Sequence, residues 1–370
     1  MAHGSRLVDL VQARIEEFLA DRTSILRSMS PDLEPLAAFS KRFLSGGKRF
    51  RALFCYWGWE AVGGRGFDAF GSAGERDRFA VLSAASALEL FHAAALVHDD
   101  IIDNSDTRRG APSAHRLFGA LHADAGWTGG SDDFGRASAI LLGDLLLGWS
   151  DELLDEGLAA LGDLRASRAA RAEFVRMRSE VTAGQYLDIL EERAWRTQPD
   201  AELRARAERV IVYKSAKYSV EAPLTIGGAI AGATETQLSA LRDFGLPLGI
   251  AYQLRDDLLG VYGDPEVTGK PSGDDLREGK RTILIAVARE RLAPGQRRLV
   301  DELLGDPGLD AEQVRMLQRT IGDCGAVDEI ERLIGDNMSR AMAVLADAPF
   351  SREASAELGA LASAVTLRSS

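Results

Sequence analysis

The stretch from Leu88 to Gly110, LELFHAAALVHDDIIDNSDTRRG, passes from an apolar helical run into dense charge. Within it Asp99, Asp100 and Asp103 stand at i, i+1 and i+4, so a helix stacks Asp99 and Asp103 on one face. Like charges one turn apart destabilise a helix unless a cation lies between them. Hard oxygen donors with no cysteine nearby suit Mg²⁺, which keeps several waters and binds through one or two carboxylates plus phosphate oxygens. Arg108 and Arg109 then add fixed positive charge of the kind that grips phosphate. Acidic metal ligands beside basic phosphate ligands describe a metal–diphosphate site, although one such motif alone also describes a solvated helix end.

A second acidic motif stands far along the chain. From Gln253 it reads QLRDDLLGVYGD, again an apolar run that meets two adjacent acids, Asp256 and Asp257. Two such motifs at helix ends are able to serve one cavity. Upstream, GGKRFR at Gly46–Arg51 places Lys48 and Arg51 at i and i+3 on the expected first turn of a helix. Free backbone N–H groups and the positive end of the helix dipole favour an anion there. Exposed basic residues at an ordinary helix start are the alternative.

Together these three motifs resemble the trans-isoprenyl diphosphate synthases, the polyprenyl synthetase family, from about Leu36 to Arg368. The resemblance implies that Asp99, Asp103 and Asp256 hold Mg²⁺, three ions per site, with Asp100 in support. It implies that Lys48, Arg51 and His92 bind the diphosphate of isopentenyl diphosphate. Arg108 is implied to contact the allylic diphosphate and Arg109 the isopentenyl diphosphate. In YKSAKY, Tyr213–Tyr218, the pair Lys214 and Ser215 resembles a Lys-Thr element that meets the leaving diphosphate, while Lys217 fits a solvated face. Gln253 matches a glutamine near the allylic substrate. Lys270 and Lys280 flank GDDLREG and match two lysines on diphosphate oxygens. Gln185 and Asp188, in GQYLD, resemble a cavity-lining helix in a supporting role. Asp274 and Asp275 are expected only to cap the next helix, and His98 to be structural. One departure stands out: Gly260 occupies the place of a possible third Asp in the second motif.

The implied reaction adds isopentenyl diphosphate to an allylic diphosphate (dimethylallyl, geranyl or farnesyl). Its allylic C–O bond breaks first, leaving diphosphate and a delocalised cation. No side-chain nucleophile is required, in keeping with the lack of a recognisable triad or thiol site. The leaving group's growing charge needs metal ions, Lys and Arg, and the cavity beyond must be apolar and dry. The isopentenyl double bond then attacks, and a proton is lost to the diphosphate itself. Ala95 and Ala94, four and five residues before Asp99, are expected to face the growing tail. Family members that stop at fifteen carbons typically carry bulky residues at this pair. Phe91, one turn (~5.4 Å) deeper, closes the floor after one more unit, which points to the twenty-carbon geranylgeranyl diphosphate. The alternatives are a farnesyl or longer polyprenyl synthase, a class I terpene cyclase and a non-catalytic partner subunit. Lys48, Arg51, His92 and the second acid pair count against a cyclase, and two intact motifs against a silent subunit.

The elements that position these residues read as helices. Leu7, Leu10, Val11, Ile15, Phe18 and Leu19 form one amphipathic stripe on an N-terminal helix within residues 1–30, no weight being placed on the opening MAHGS. Ser30-Pro31 marks the next helix start, Gly46-Gly47 closes that helix, and a third runs from Lys48 to about Gly63. A central helix from about Asp77 carries the first acidic motif. Further helices are expected at 137–161, 167–194, 201–232 with a break at Pro223, and 235–262, with shorter ones over 279–367. No run alternates like a strand. The expected fold is a single all-α domain over 1–370, which the resemblance makes an isoprenoid-synthase-type helical bundle around a central apolar cavity.

The net charge of −12 over 370 residues offers no basic stripe for a nucleic acid. Cys55 and Cys324 cannot build a disulfide framework and fit a reducing cytoplasm. Cys55 reads as a buried small hydrophobe. Apolar runs are broken by Asp or His before 18 residues, so no transmembrane helix is expected, and no signal-peptide pattern opens the chain. The resemblance also implies a homodimer.

Overall fold

The computed structural model describes residues 2–63, 72–108, 110–264 and 272–366. They are all-α apart from one two-stranded hairpin, and they group into two compact units. The first unit is Met1–Ala172 with Pro223–Thr234, and the second is Glu173–Ala222 with Glu235–Ser370.

The first unit holds α1 (Ala2–Met29), α2 (Glu34–Phe43), α3 (Phe50–Ala61), α4 (Ser72–Ile102), strands β1 (Thr107–Arg108) and β2 (Ala111–Pro112), α5 (Ala114–Asp124) and α6 (Ser131–Ala160). The expected stripe on α1 is buried, with Leu7, Val11, Ile15 and Phe18 all nearly inaccessible. Cys55 is likewise fully buried in α3, where burial pushes its thiol pKa up and keeps it protonated. Helix α4 is the hub, packed on α6, α3 and α1. Small residues such as Ala80, Ala84, Ala87 and Ala94 let its neighbours come close. At Gly143 of α6 a Cβ would stand 2.1 Å from His98 Nε2, so glycine makes room for the ring. His98 also reaches the Ile140 carbonyl at 3.2 Å, which fits its structural assignment.

By length and composition alone, Gly74–Ile102 passes as a membrane span, against the expectation that every apolar run is too short. Its helix continues through Glu89 and His92 without a break. Of its apolar window 78% is buried within the protein, as for a core helix of a folded domain.

The second unit takes α7 (Leu164–Ala194) from Glu173 onward, α8 (Leu203–Val210), a π-helix over Ile211–Glu221, and α10 (Glu235–Tyr262); α9 (Ala222–Ile230) belongs largely to the first unit. It continues through α11 (Asp274–Glu278), α12 (Ile283–Arg291), α13 (Pro294–Leu303), α14 (Ala311–Asp323), α15 (Ala326–Asp347) and α16 (Arg352–Thr366). Leu254, Leu258, Leu276, Leu284, Leu317 and Ile330 form part of one core beneath α10. The sequence predicts a plain helix over 201–232; instead its middle is wound as a π-helix, a form that concentrates at functional sites. The Ala222 N–H bonds to the Lys217 carbonyl five residues back, and Pro223, which has no N–H, follows at once.

Candidate active site

The first acidic motif lies at the end of α4. Asp99 is in its last turn, and the Asp103 N–H donates to the Asp99 carbonyl at 2.8 Å, so the helical path extends through both carboxylates. Asn104 then takes a left-handed conformation (φ 54°), and the Ser105 N–H returns to the Asp100 carbonyl at 2.9 Å. This is a left-handed C-cap of the kind asparagine tolerates. Asp99 and Asp103 are half-buried, whereas Asp100 is fully buried.

Arg108 folds back from β1 onto Asp100. Its Nε donates to Asp100 Oδ1 at 2.9 Å, its second terminal nitrogen donates to the same oxygen, and Asp99 Oδ2 lies 3.8 Å away. Asp100 thus fixes the Arg108 guanidinium beside Asp99. The hairpin carrying Arg108 pairs Thr107 with Pro112 and Arg108 with Ala111. Its base is pinned by the Ser113 hydroxyl, 3.2 Å from Nδ1 of the buried His115, whose Nε2 is 3.7 Å from Asp106. Burial, then the charges of Arg116 and Arg136, hold the His115 pKa below its ordinary value, with Asp106 opposing. Arg109 and Lys270 lie outside the described residues.

GGKRFR requires a correction. Helix α3 begins at Phe50, after positive-φ Gly46 and Gly47 and a left-handed Arg49 (φ 51°), so Lys48 precedes the helix and does not share its first turn with Arg51. One expected free donor is also engaged, because the Ala52 N–H donates to Glu89 Oε1 at 3.2 Å. The central arginine of the motif is structural. Arg49 reaches Glu89 Oε2 at 3.1 Å, Gln12 at 2.6 Å and the Leu44 carbonyl, all in the interior. Glu89 of α4 therefore holds the start of α3, and with it Lys48 and Arg51. His92, half-buried, lies two turns before Asp99 on α4. On the same helix Phe91 and Ala94 are buried, while Ala95 is half-buried.

In the second unit the π-helix is placed by two glycines. A Cβ on Gly184 of α7 would meet the Lys214 backbone nitrogen at 2.4 Å, and one on Gly249 of α10 would meet the Ala216 carbonyl oxygen at 2.5 Å. Backbone-to-backbone contact on both sides sets Lys214 and the half-buried Ser215 rigidly. Lys214 Nζ donates to Asp188 Oδ2, and Lys280 Nζ reaches the same oxygen at 3.3 Å and Glu192 at 3.0 Å. Two lysines thus converge on one carboxylate of GQYLD. Lys217 is not merely solvated: it pairs with Glu180 at 2.9 Å and lies over the Tyr213 ring.

Asp256 and Asp257 differ sharply. Asp256 is exposed, whereas Asp257 is 5% exposed and accepts from Gln253 Nε2 at 2.7 Å. Burial pushes the Asp257 carboxyl well above its usual range; Gln253 opposes, and the charges of Asp275, Asp256 and Asp188 add to the rise. Gln253 is therefore a holder of Asp257. Gly273, in a left-handed conformation, precedes α11 as its N-cap; Asp274 and Asp275 lie in the first turn and no side chain caps the helix, so the expected capping role falls away.

Oxygen donors alone, in pairs one turn apart or adjacent, fit Mg²⁺. Among the described residues no three Asp, Glu, His or Cys side chains gather around one point. A cation held here draws the rest of its shell from water and phosphate oxygens, as Mg²⁺ commonly does.

Residues 34–321 match the polyprenyl synthetase family. The chain is 32% identical to a geranylfarnesyl diphosphate synthase of Aeropyrum pernix, over 82% of its own length and 85% of the relative's. It is 29% identical to a geranylgeranyl diphosphate synthase of Mycobacterium tuberculosis, over 93% and 91%. A solved geranylgeranyl pyrophosphate synthase from Corynebacterium glutamicum, complexed with isoprenyl diphosphate and magnesium, aligns at TM-score 0.89 and 36% identity, covering 98% of both chains.

Proposed function

The chain belongs to the polyprenyl synthetase family, and from that premise we propose that it is a Mg²⁺-dependent trans-prenyltransferase that stops at geranylgeranyl diphosphate. It acts as one catalytic domain over 1–370, extending an allylic diphosphate with isopentenyl diphosphate. The observation that carries this is the convergence of Lys214 and Lys280 on Asp188, in the unit that also presents Asp256. Paired ammonium groups held by one carboxylate are ready to exchange it for a diphosphate, whose charge is larger.

Asp99, Asp103 and Asp256 are the residues that hold Mg²⁺, three ions per site, and the bound metal supplies Lewis-acid neutralisation of the leaving diphosphate. Lys214, Lys280 and Arg108 bind the same diphosphate, with Ser215 donating a hydrogen bond and Lys270 joining them. Preorganised cations at the leaving oxygen favour ionisation over return. Lys48, Arg51, His92 and Arg109 bind isopentenyl diphosphate and orient its double bond. Phe91, Ala94 and Ala95 on α4 receive the tail and exclude water from the cation. The proton leaves to the departing diphosphate, so no side chain acts as base.

A homodimer is the assembly we favour, since Ile140 and Leu141 on α6 are 44% and 64% exposed and offer adjacent apolar surface to a second copy. Two free cysteines agree with a cytoplasmic setting.

Incubation with Mg²⁺, isopentenyl diphosphate and each allylic primer in turn, followed by sizing of the dephosphorylated product, tests the proposal. A twenty-carbon alcohol from every primer is expected. Product made without isopentenyl diphosphate would revive a cyclase, and no product at all would favour a partner subunit.

A further inference from the structure

The residues that follow Lys280 in the second unit border a small cavity. Arg281 and Thr282 line it together with Trp195, Leu203, Ile285 and Arg289. It leaves about 20 Å³ for the centre of a water-sized body, which is room for one small occupant.

Its walls are rich in donors and short of acceptors. Arg281 and Arg289 have side chains only 10% and 9% exposed, and both lie over the Trp195 ring, at 3.7 and 4.8 Å. Arg281 Nε and Nη1, Arg289 Nε and Thr282 Oγ1 are buried without a hydrogen-bond partner among the described residues. The nearby carboxylates are already engaged. Asp301 Oδ1 accepts from Arg289 at 2.9 Å and stands 3.8 Å from Arg281 Nη1, beyond hydrogen-bond reach. Asp200 is shared by Arg289 and Arg297, at 3.0 and 3.1 Å. Glu191, which also borders the cavity, gives both oxygens to Arg206, at 2.8 and 2.7 Å. Against Glu191, Asp200 and Asp301 stand Arg206, Arg281, Arg289 and Arg297, so Arg281 is the cation left over. Burial, opposed by Asp301 and then aided by Arg289 and Arg196, pulls its pKa down to about 10. A buried cation with no acceptor is strongly unfavourable, and each unmade bond of a buried donor adds to that cost.

Helix α12 contributes from the same wall. Thr282 is its N-cap, with extended backbone (φ −72°, ψ 170°), yet its side chain makes no capping bond. The hydroxyl is left for the cavity. Ile285 of the first turn borders the same space, so the positive end of the helix dipole is adjacent.

We propose that this cavity is a binding site for one small monovalent anion, a chloride ion in ordinary salt, held by Arg281, Arg289 and the Thr282 hydroxyl. A single-atom anion suits the room available, whereas a tetrahedral phosphate does not. The bound charge neutralises Arg281 and braces the turn that directs Lys280 Nζ to Asp188 and Glu192. None of its ligands is assigned to prenyl transfer, so the site stands or falls separately from the proposed function.

Thermal melting of the full chain in sodium chloride and in sodium gluconate, at equal ionic strength, tests the site in wild type, Arg281→Gln and Thr282→Val. An anion that binds only the folded state raises the melting temperature. Wild type is expected to melt about 2–4 °C higher in about 100 mM chloride. The rise is expected to vanish in Arg281→Gln and to shrink in Thr282→Val, which keeps the shape and removes the hydroxyl. Bromide is expected to reproduce the rise, and crystals grown with bromide to show an anomalous-scattering peak beside Arg281 Nε and Thr282 Oγ1. Equal melting in chloride and gluconate would mean that water alone fills the cavity, and overturns the inference. So does a chloride shift that survives in Arg281→Gln, or a phosphate shift larger than the chloride one. Should Arg281→Gln fail to fold, an undiminished shift in Thr282→Val or the lack of a bromide peak in the cavity overturns it instead.

Discussion

Arg49 and Glu89 form an ion pair in the interior, 3.1 Å from Nη1 to Oε2, with side chains only 5% and 6% exposed. The pair ties the residue before α3 to the middle of α4, and so ties the GGKRFR turn to the helix that ends in the first acidic motif. Breaking such a pair from one side leaves a buried charge uncompensated, which costs about 3–5 kcal/mol. Glu89→Ala is therefore expected to lower the melting temperature markedly. Whatever folded protein remains is expected to lose affinity for isopentenyl diphosphate more than for the allylic primer. A variant with wild-type stability would contradict the role given to this pair.

Asp188 holds two lysines that come from distant parts of the chain. Asp188→Asn keeps the side chain's size but releases both ammonium groups from a fixed position. Misplacing catalytic groups by about 1 Å can cost on the order of a hundredfold in rate, and a loss of that order is expected with the helical circular-dichroism signal intact. Asp188→Asn turning over at the wild-type rate would show that Lys214 and Lys280 need no such anchor.

The two acids of the second motif are expected to respond unequally. Asp256 is exposed, while Asp257 is buried and accepts from Gln253. Asp256→Asn should cut turnover by orders of magnitude and leave the melting temperature nearly unchanged. Asp257→Asn should keep much more activity, since an amide still accepts from Gln253. The reverse order would reassign the metal-facing acid.

Helices and acid motifs were legible in the sequence because apolar spacing and charge clusters are local signals: the α1 stripe and the 235–262 boundaries needed nothing from elsewhere in the chain. Glu89 was not, since one acid in an apolar helix does not announce a partner forty positions upstream. The Gly184 and Gly249 contacts that wedge the π-helix were hidden for the same reason. A glycine inside a helix signals close approach, but only coordinates say of what. The late start of α3 is not legible in the sequence because an arginine seldom takes a left-handed backbone, and here Glu89, Gln12 and the Leu44 carbonyl hold it there.

Product length tests the assignment of the α4 face. Ala95 is half-buried while Ala94 is fully buried, so Ala95 is the member of the pair with accessible surface. Ala95→Phe is expected to shift the main product to fifteen carbons by closing the tail's path one turn (~5.4 Å) earlier. Ala94→Phe is expected to overpack the core and lower stability by about 1–3 kcal/mol. Phe91→Ala should lengthen the product. Twenty carbons from all three variants would move the floor to another helix.

The His115 anchor makes stability depend on pH in a way whose sign is fixed. Its folded pKa is depressed, first by burial and then by Arg116 and Arg136, so the folded protein binds a proton less readily than the unfolded chain does. Its contribution is complete above the unfolded value of about 6.5 and falls as pH drops through that value towards the folded pKa. Asp106 acts in a separate window: its bond to Arg116 lowers its carboxyl pKa, so its contribution is kept above about 3.9 and is lost only further down, as pH falls through the folded pKa. Glu221 has the opposite sign to His115, because burial raises its pKa and the folded state gains on acidification. The clean observable is therefore the difference in melting temperature between wild type and His115→Asn. It should favour wild type most at pH 7 to 8, shrink between pH 7 and 5, and stay flat above pH 8. A difference independent of pH over that range would mean that His115 serves the hairpin by shape alone.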